Sequence, residues 1–308
     1  MEFNENKPLV TVAIITRNRA DSLKRTLTSI FELDYPAIEV IVVDNASTDN
    51  TPEVISSFKN VISVFSPQNS GFSKTRQFAI EAASGVYIAW CDDDCVPEKQ
   101  WLSAFVNRFE SDPTIALLGG GILNINFPPS LKFKGTEIMI PNAILIPVEN
   151  PYEALYYANL NMAIRTSHTK EVGGYDLFFK GGYEEIDLNL TFRKAGYKVD
   201  YEPKAFVNHY HNHVSFKKGR WFYGGNLMRL YLYFKHSDMI GDDAFLSTEI
   251  KLFAKDFWRS FKLTLSGVKR VDGKRTMVGL IELFNTVSSR IAIPWLIFVI
   301  KKNKKQIA

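Results

Sequence analysis

The sequence predicts an α/β fold: a mostly parallel sheet with helices on both faces. Three observations carry that expectation. β-branched runs alternate with helical periodicities through the first 120 residues. Polar residues cluster where the runs end. A chain of 308 residues, 46% hydrophobic, can bury a sizeable core. "LVTVAIIT" (9–16) reads as the first strand. Asp21 is expected to cap a helix whose apolar face is Leu23, Leu27, Ile30 and Phe31. "EVIVVDN" (39–45) is the second strand, and Thr51 before Pro52 fits the N-cap of a short helix through Phe58. "VISVF" (61–65), a helix over 73–83 and "VYIAW" (86–90) follow. A helix over 98–109 leads to "IALLGGG" (115–121), expected to be strand and turn.

In such sheets ligands bind outside the carboxyl ends of the strands. Thr16-Arg17-Asn18-Arg19 follow the first strand, Asp44-Asn45 end the second, and Asp92-Asp93-Asp94 end the fourth. Each group alone is ordinary turn or cap chemistry. Their convergence on one rim points to a ligand.

The net charge of +4 is unevenly spread. From Lys262 onward ten Lys/Arg face two acids, so the C-terminal part is basic and points toward an anionic surface. There are no interleaved base-stacking aromatics and no nucleic-acid motif, which excludes nucleic acid in favour of membrane. Cys91 and Cys95 are the only cysteines, and the polar "MEFNENKPLV" is no signal peptide, so a reducing, cytoplasmic setting is expected. The pair is not expected to bind zinc; Cys91 completes the strand and Cys95 packs beneath the loop.

"VTVAIITRNRADSLKRTLTSI", "IEVIVVDNASTDNT" and "NSGFSKTRQFAIEAASGVYIAWCDDDCVP" together resemble the family 2 glycosyltransferases of the GT-A fold, in residues, order and spacing. "NLNMAIRTSHTKEVGGYDLFF" (159–179) is similar to that family's central acceptor-side segment, and "GGYEEIDLNLTFRKAGYKVDYEPKAFVNH" (181–209) to its catalytic-base block. The resemblance implies a catalytic domain over 1–215, with a nucleotide-binding half to about 120 and an acceptor-side half beyond. A helical, basic extension over 216–308 follows. It implies transfer of a sugar from a nucleotide diphosphate to a hydroxyl, with inversion.

The chemistry agrees. The leaving nucleoside diphosphate gathers negative charge, which a hard Mn²⁺ or Mg²⁺ held by one or two carboxylates can stabilise. By analogy with the family's Asp-x-Asp motif, Asp94 is the metal ligand, Asp92 contacts the ribose or the metal, and Asp93 contacts the donor indirectly. Asp44 suits the N3–H of uracil or thymine, which cytosine lacks. Thr16, Arg19, Asn45 and Arg76 are further donor-site candidates, Arg76 against an ordinary helix-surface role. The family places Glu-Asp at the base position. Here "YEEIDL" puts Glu185 there, one methylene longer, with Glu184 and Asp187 as alternatives. Pro203, Ala205 and His209 fit a family pattern that sets a histidine near the metal. His211 and His213 alternate with it, an arrangement that zinc could also use.

"MVGLIELFNTVSSRIAIPWLIFVI" followed by "KKNKK" contains an uninterrupted apolar run of ten residues, 291–300, against the roughly 20 a spanning helix needs. Glu282, Asn285, Arg290 and Pro294 also weigh against a span, so 277–308 is expected to lie on a membrane surface, or else against the core. The acceptor is accordingly a saccharide or a lipid-linked one. Two other functional classes remain open: a non-catalytic sugar-nucleotide binder and a nucleotidyltransferase. The second would want a glycine-rich phosphate loop after strand one, and "TRNRADS" has no glycine.

Overall fold

A computed structural model describes residues 7–125, 136–140, 144–147, 150–210, 225–241 and 245–307. In chain order the elements open with β1 (Val10–Thr16), α1 (Ala20–Ile30), β2 (Ile38–Asn45), α2 (Thr51–Ser57), β3 (Val61–Ser66) and α3 (Phe72–Ala82). Next come β4 (Tyr87–Cys91), β5 (Cys95–Pro97), α4 (Trp101–Ser111), β6 (Ile115–Ile125), β7 (Thr136–Ile140), β8 (Ile144–Pro147) and β9 (Tyr156–Tyr157). β10 (Asn161–Arg165), α5 (Thr166–Glu171), α6 (Glu184–Lys194) and β11 (Lys198–Tyr210) follow, and then five helices. These are α7 (Gly225–Lys235), α8 (Ser237–Ile240), α9 (Phe245–Lys269), α10 (Gly273–Ile291) and α11 (Ile293–Ile307).

The chain divides into two compact units. The first comprises 1–138, 147–180 and 184–212, the second 139–146, 181–183 and 213–308. The expected boundary at 215 and residues His211 and His213 lie outside the described residues.

In the first unit an eight-stranded sheet runs β3-β2-β1-β4-β10-β6-β11-β5. β3, β2, β1 and β4 are parallel, β10 is antiparallel to both its neighbours, β11 is parallel to β6, and β5 is antiparallel to β11. One face buries Val12, Ile14, Leu23, Leu27 and Trp101, the other Ile41, Val43, Trp90 and Leu117. This double covering explains why the strands read as continuous apolar runs.

Four expectations need correction. Thr51 does not cap α2: it is the first helical residue, with Asn50 at the cap and Pro52 in the first turn as expected. Asp21 does not cap α1: the helix starts at Ala20, and Asp21 sits in its first turn, where the helix dipole favours an acid. The cap comes from the neighbouring βα loop. Thr51 Oγ1 accepts from Arg19 N at 3.1 Å and Asp49 Oδ2 from Ala20 N at 3.5 Å. Phe31 is not in the core either; it is exposed past the helix end and stacks on Phe58. Nor do Gly119–Gly121 turn the chain, because β6 runs straight through them. A Cβ on Gly119 would lie 2.1 Å from the Tyr157 ring, and one on Gly120 2.2 Å from the Ala205 carbonyl. The glycines are there for close approach.

The second unit contains α7 to α11. Its buried polar centre is Glu249, held by Arg229 at 2.7 Å and by Arg290 at 2.9 Å. The apolar segment expected as one interfacial stretch is two helices, α10 and α11, bent by 52°. Pro294 in the first turn of α11 cannot continue α10's hydrogen bonding. No single described helix is long and apolar enough to cross a membrane.

Candidate active site

Parallel pairing sets Thr16 beside Asp44, and β4 lies on the other side of β1. The three polar strand ends therefore share one rim.

Asp93 turns inward and is buried. Thr16 Oγ1 donates to its Oδ2 at 2.7 Å, and Arg19 Nε stands 3.6 Å from its Oδ1. Burial, reinforced by the neighbouring acids, pushes its carboxyl up to about 7 despite the opposing pull of Arg19. Thr16 and Arg19 thus organise the acidic loop. Asn45 similarly organises its own, giving Nδ2 to Asn69 at 3.0 Å and accepting from Ser70 N at 2.8 Å.

Asp94 divides its two oxygens. Oδ2 takes Arg19 Nη1 at 2.6 Å, while Oδ1 faces His209 Nε2 at 3.3 Å. Burial raises the Asp94 carboxyl, but His209 and Arg19 outweigh it and hold it below the usual carboxylate range. His209 is lowered by burial and raised more by Asp94, with a net upward shift. Asn124 Oδ1 lies 2.7 Å from His209 Nδ1, so the imidazole has a partner on its far side. Cys95 pairs directly with His209 across the β5–β11 ladder. A sulfur of Cys95, an oxygen of Asp94 and a nitrogen of His209 lie within 4.8 Å of one another. Sequence reading missed Asn124 and gave Cys95 only a packing role. Strand register alone sets Asn124 and Cys95 against His209.

Asp92 is the more exposed acid. It meets Arg76 Nη2 at 3.5 Å, and Arg76 Nε stands 3.7 Å from Glu184 Oε1. Arg76 is buried over the Trp90 ring, not on a helix surface, because α3 turns that side chain toward the sheet. The guanidinium links the acidic loop to α6. At the start of α6, Glu184 and Asp187 share the buried face and Glu185 is partly buried. Burial and the like charge of Glu184 push Glu185 well above the ordinary glutamate range. This goes beyond the acid-rich first turn that a helix dipole alone favours.

Asp44, on the same rim, is the register partner of Thr16. Its Oδ1 accepts from Ser47 N at 3.0 Å, and its buried Oδ2 has no hydrogen-bond partner among the described residues. It lines a cavity of about 270 Å³ with Pro52, Ile55, Phe58 and Phe65. That volume suits a fragment such as one base, being below the roughly 300 Å³ where drug-sized pockets begin.

Comparison with known proteins gives this rim a context. Residues 11–173 match the family model "Glycosyl transferase family 2". The chain is 27% identical over 207 residues to the pre-mycofactocin glycosyltransferase of Mycobacterium tuberculosis, covering 66% of this chain and 43% of that protein. It is 24% identical over 217 residues to the poly-β-1,6-N-acetyl-D-glucosamine synthase of Staphylococcus aureus, covering 64% and 48%. The chain thus spans about half the length of these relatives. Among solved structures, GalNAc-T7 with UDP, GalNAc and Mn²⁺ superposes with a TM-score of 0.60 at 17% identity, covering 75% of this chain and 49% of that one. S. aureus TarS 1–349 superposes at 0.59 and 16% identity, covering 97% and 91%. The first unit's mixed sheet is accordingly the GT-A fold that the sequence resemblance implied. A family match over more than half of its residues, on this fold, makes the chain a member of glycosyl transferase family 2.

Proposed function

We propose that the chain carries the donor site and catalytic base of a divalent-metal-dependent, inverting glycosyltransferase. It would move a sugar from a UDP- or dTDP-sugar to a hydroxyl of a saccharide or lipid-linked acceptor in surface-glycan synthesis. One observation carries the reading: a single rim joins a base-sized cavity with an unsatisfied acceptor, an acid–imidazole pair, and buried carboxylates at a helix start.

In this reading Asp44 Oδ2 accepts from N3–H of the base. A base without that donor leaves a buried oxygen unpaired and is rejected. Asp94 Oδ1 and His209 Nε2, with Asp92 alongside, form a carboxylate–imidazole set that fits Mn²⁺ or Mg²⁺. When bound, the ion neutralises charge on the departing diphosphate. Arg76, between Asp92 and Glu184, holds the donor loop and the base helix in one arrangement. Glu185 takes the acceptor's hydroxyl proton as that oxygen bonds to the anomeric carbon. The bond from that carbon to the phosphate oxygen breaks, and its electron pair leaves with the nucleoside diphosphate. Glu184 and Asp187 are the neighbouring carboxylates for the same task. Contact of 277–308 with a membrane, on the cytoplasmic side, belongs to the same reading and rests on the basic, apolar C-terminal sequence.

Calorimetric titration with UDP, dTDP, GDP and CDP, with and without Mn²⁺, tests the proposal. Binding of UDP or dTDP should need Mn²⁺ and vanish in Asp94→Ala. Asp44→Asn should weaken it by about tenfold or more, from one lost buried hydrogen bond. Failure of every nucleotide to bind would sink the transferase reading. Binding without turnover would convert it to the non-catalytic alternative.

A further inference from the structure

The second unit packs α9 and α10 along a seam of small and polar residues. Gly267 lies against Thr276 and Gly279 against Thr264, so residue numbers rise on one helix as they fall on the other: the pair is an antiparallel hairpin. A Cβ on Gly279 would come 2.4 Å from Thr264 Oγ1, and one on Gly267 2.5 Å from Thr276 N. The residues buried along the two helices are small or polar: Ser260, Gly267, Gly279, Thr286 and Ser289, with Glu249. None of the large apolar side chains is fully buried: Phe253, Phe257, Leu263, Ile281 and Leu283 are half-buried, and many others are exposed.

That exposed set is ordered. On α9, Leu246, Ile250, Trp258, Phe261, Leu265 and Val268 are exposed at helical spacing. On α10, Met277, Leu280, Phe284 and Ile291 are exposed, the last two at 70% and 74%. Phe261, Leu265 and Val268 each follow a seam residue by one position, as do Met277 and Leu280. A one-residue step turns a helix by about 100°. On antiparallel helices the same step from a shared seam turns both toward the same side. The two stripes therefore form one continuous apolar face, with Val271, 93% exposed, at the hairpin tip.

Lys251, Lys255, Lys262 and Lys269 are exposed, one further step round α9, and edge this face along its length. From 245 to 275 there are eight Lys/Arg against three acids, and Glu249 and Asp256 are already paired with arginines.

The geometry points to a membrane surface carrying anionic lipid as the occupant: the hairpin lies in the headgroup boundary with its apolar face toward the acyl chains. Small residues in the seam and large apolar residues outside are how helices pack in lipid, where no hydrophobic force drives apolar groups inward. The lysine edge matches anionic headgroups. A second copy of the chain fits poorly, because it offers the lysine edge no acidic stripe in return: Glu249 and Asp256 are already paired with arginines. Lysines along the middle of α9 fit an in-plane helix, not a spanning one. This surface precedes the 277–308 segment along most of its length, and the inference does not rest on the donor-site reading.

Flotation of the full chain with phosphatidylcholine vesicles, and with vesicles that also contain phosphatidylglycerol, tests it. The wild type should float with the mixed vesicles and much less with phosphatidylcholine alone. K262Q/K269Q should lower partitioning about thirtyfold, one surface charge being worth about fivefold. F261E/F284E should abolish flotation while far-ultraviolet circular dichroism and UDP titration stay as in wild type. No flotation with either vesicle overturns the inference, as does undiminished flotation of F261E/F284E. So does a wild-type dimer in sedimentation velocity that F261E/F284E dissociates, because the face would then cover a second copy. A wild type that floats but binds no nucleotide would remove the donor-site reading and leave this one standing.

Discussion

Glu185, as the proposed base, would face two opposing demands in one side chain. Burial and the nearby Glu184 raise its affinity for a proton, yet a general base must be ionised. Turnover should therefore rise with pH through the raised value, not through the ordinary glutamate range. Glu184→Gln removes a like charge, so the acid limb of the rate profile should move to lower pH. Glu185→Gln should cost about 10²- to 10⁴-fold in turnover. The same shift fixes the sign of a stability effect. Above the unfolded glutamate value and up to the raised one, the folded chain binds this proton more tightly than the unfolded chain. Stability contributed by the site is present at low pH and is lost as pH rises through the raised value. Glu185→Gln should flatten that fall in denaturant titrations followed across pH. An unchanged pH profile in Glu184→Gln would remove Glu184 as the source of the shift.

At the scale of elements, β6 shows what a glycine run does inside a sheet. Asn161 on β10 donates to the carbonyls of Gly121 and Ala205 at 2.8 Å each, and accepts from Trp101 Nε1 at 2.7 Å. This one amide ties β10, β6, β11 and α4 together, and it fits because Gly120 has no side chain. Gly120→Ala would press a methyl group on the Ala205 backbone and the Asn161 amide. Overpacking of this kind costs about 1–3 kcal/mol, and a lost buried hydrogen bond adds to it. The urea midpoint should fall accordingly. Gly173→Ala, where a Cβ meets no atom within 4 Å, has only its left-handed backbone to lose and should fall less. Equal midpoints for the two variants would contradict the close-packing account. α1 carries a related lesson: its first N–H groups are capped by Thr51 and Asp49, more than a turn of chain away, and no local motif announces that.

For the whole molecule, the parallel strand order turns three separated loops into one rim, and a ligand on that rim should stabilise what it joins. UDP with Mn²⁺ at about a hundred times its dissociation constant should add about 2.7 kcal/mol to folding. In a calorimetric scan the transition should move upward with UDP and Mn²⁺ together, but not with either alone. Equal shifts from Mn²⁺ alone would place the ion's stabilisation outside the donor site. Much of this architecture was legible beforehand. The roles proposed for Asp92, Asp94 and Glu185 rest on the family resemblance, whereas strand–helix alternation and the acids and arginines at strand ends are matters of residue type and local spacing. The latter follow from periodicity and turn chemistry, which act within a few residues. Tertiary structure decided the rest. It buried Arg76 between Asp92 and Glu184, set Asn124 against His209 from 85 residues away, and laid Cys95 opposite that histidine. It also left a row of apolar side chains on α9 and α10 exposed. Each of these depends on strand register or helix-pair geometry, and those are fixed only when distant segments pack and exclude water.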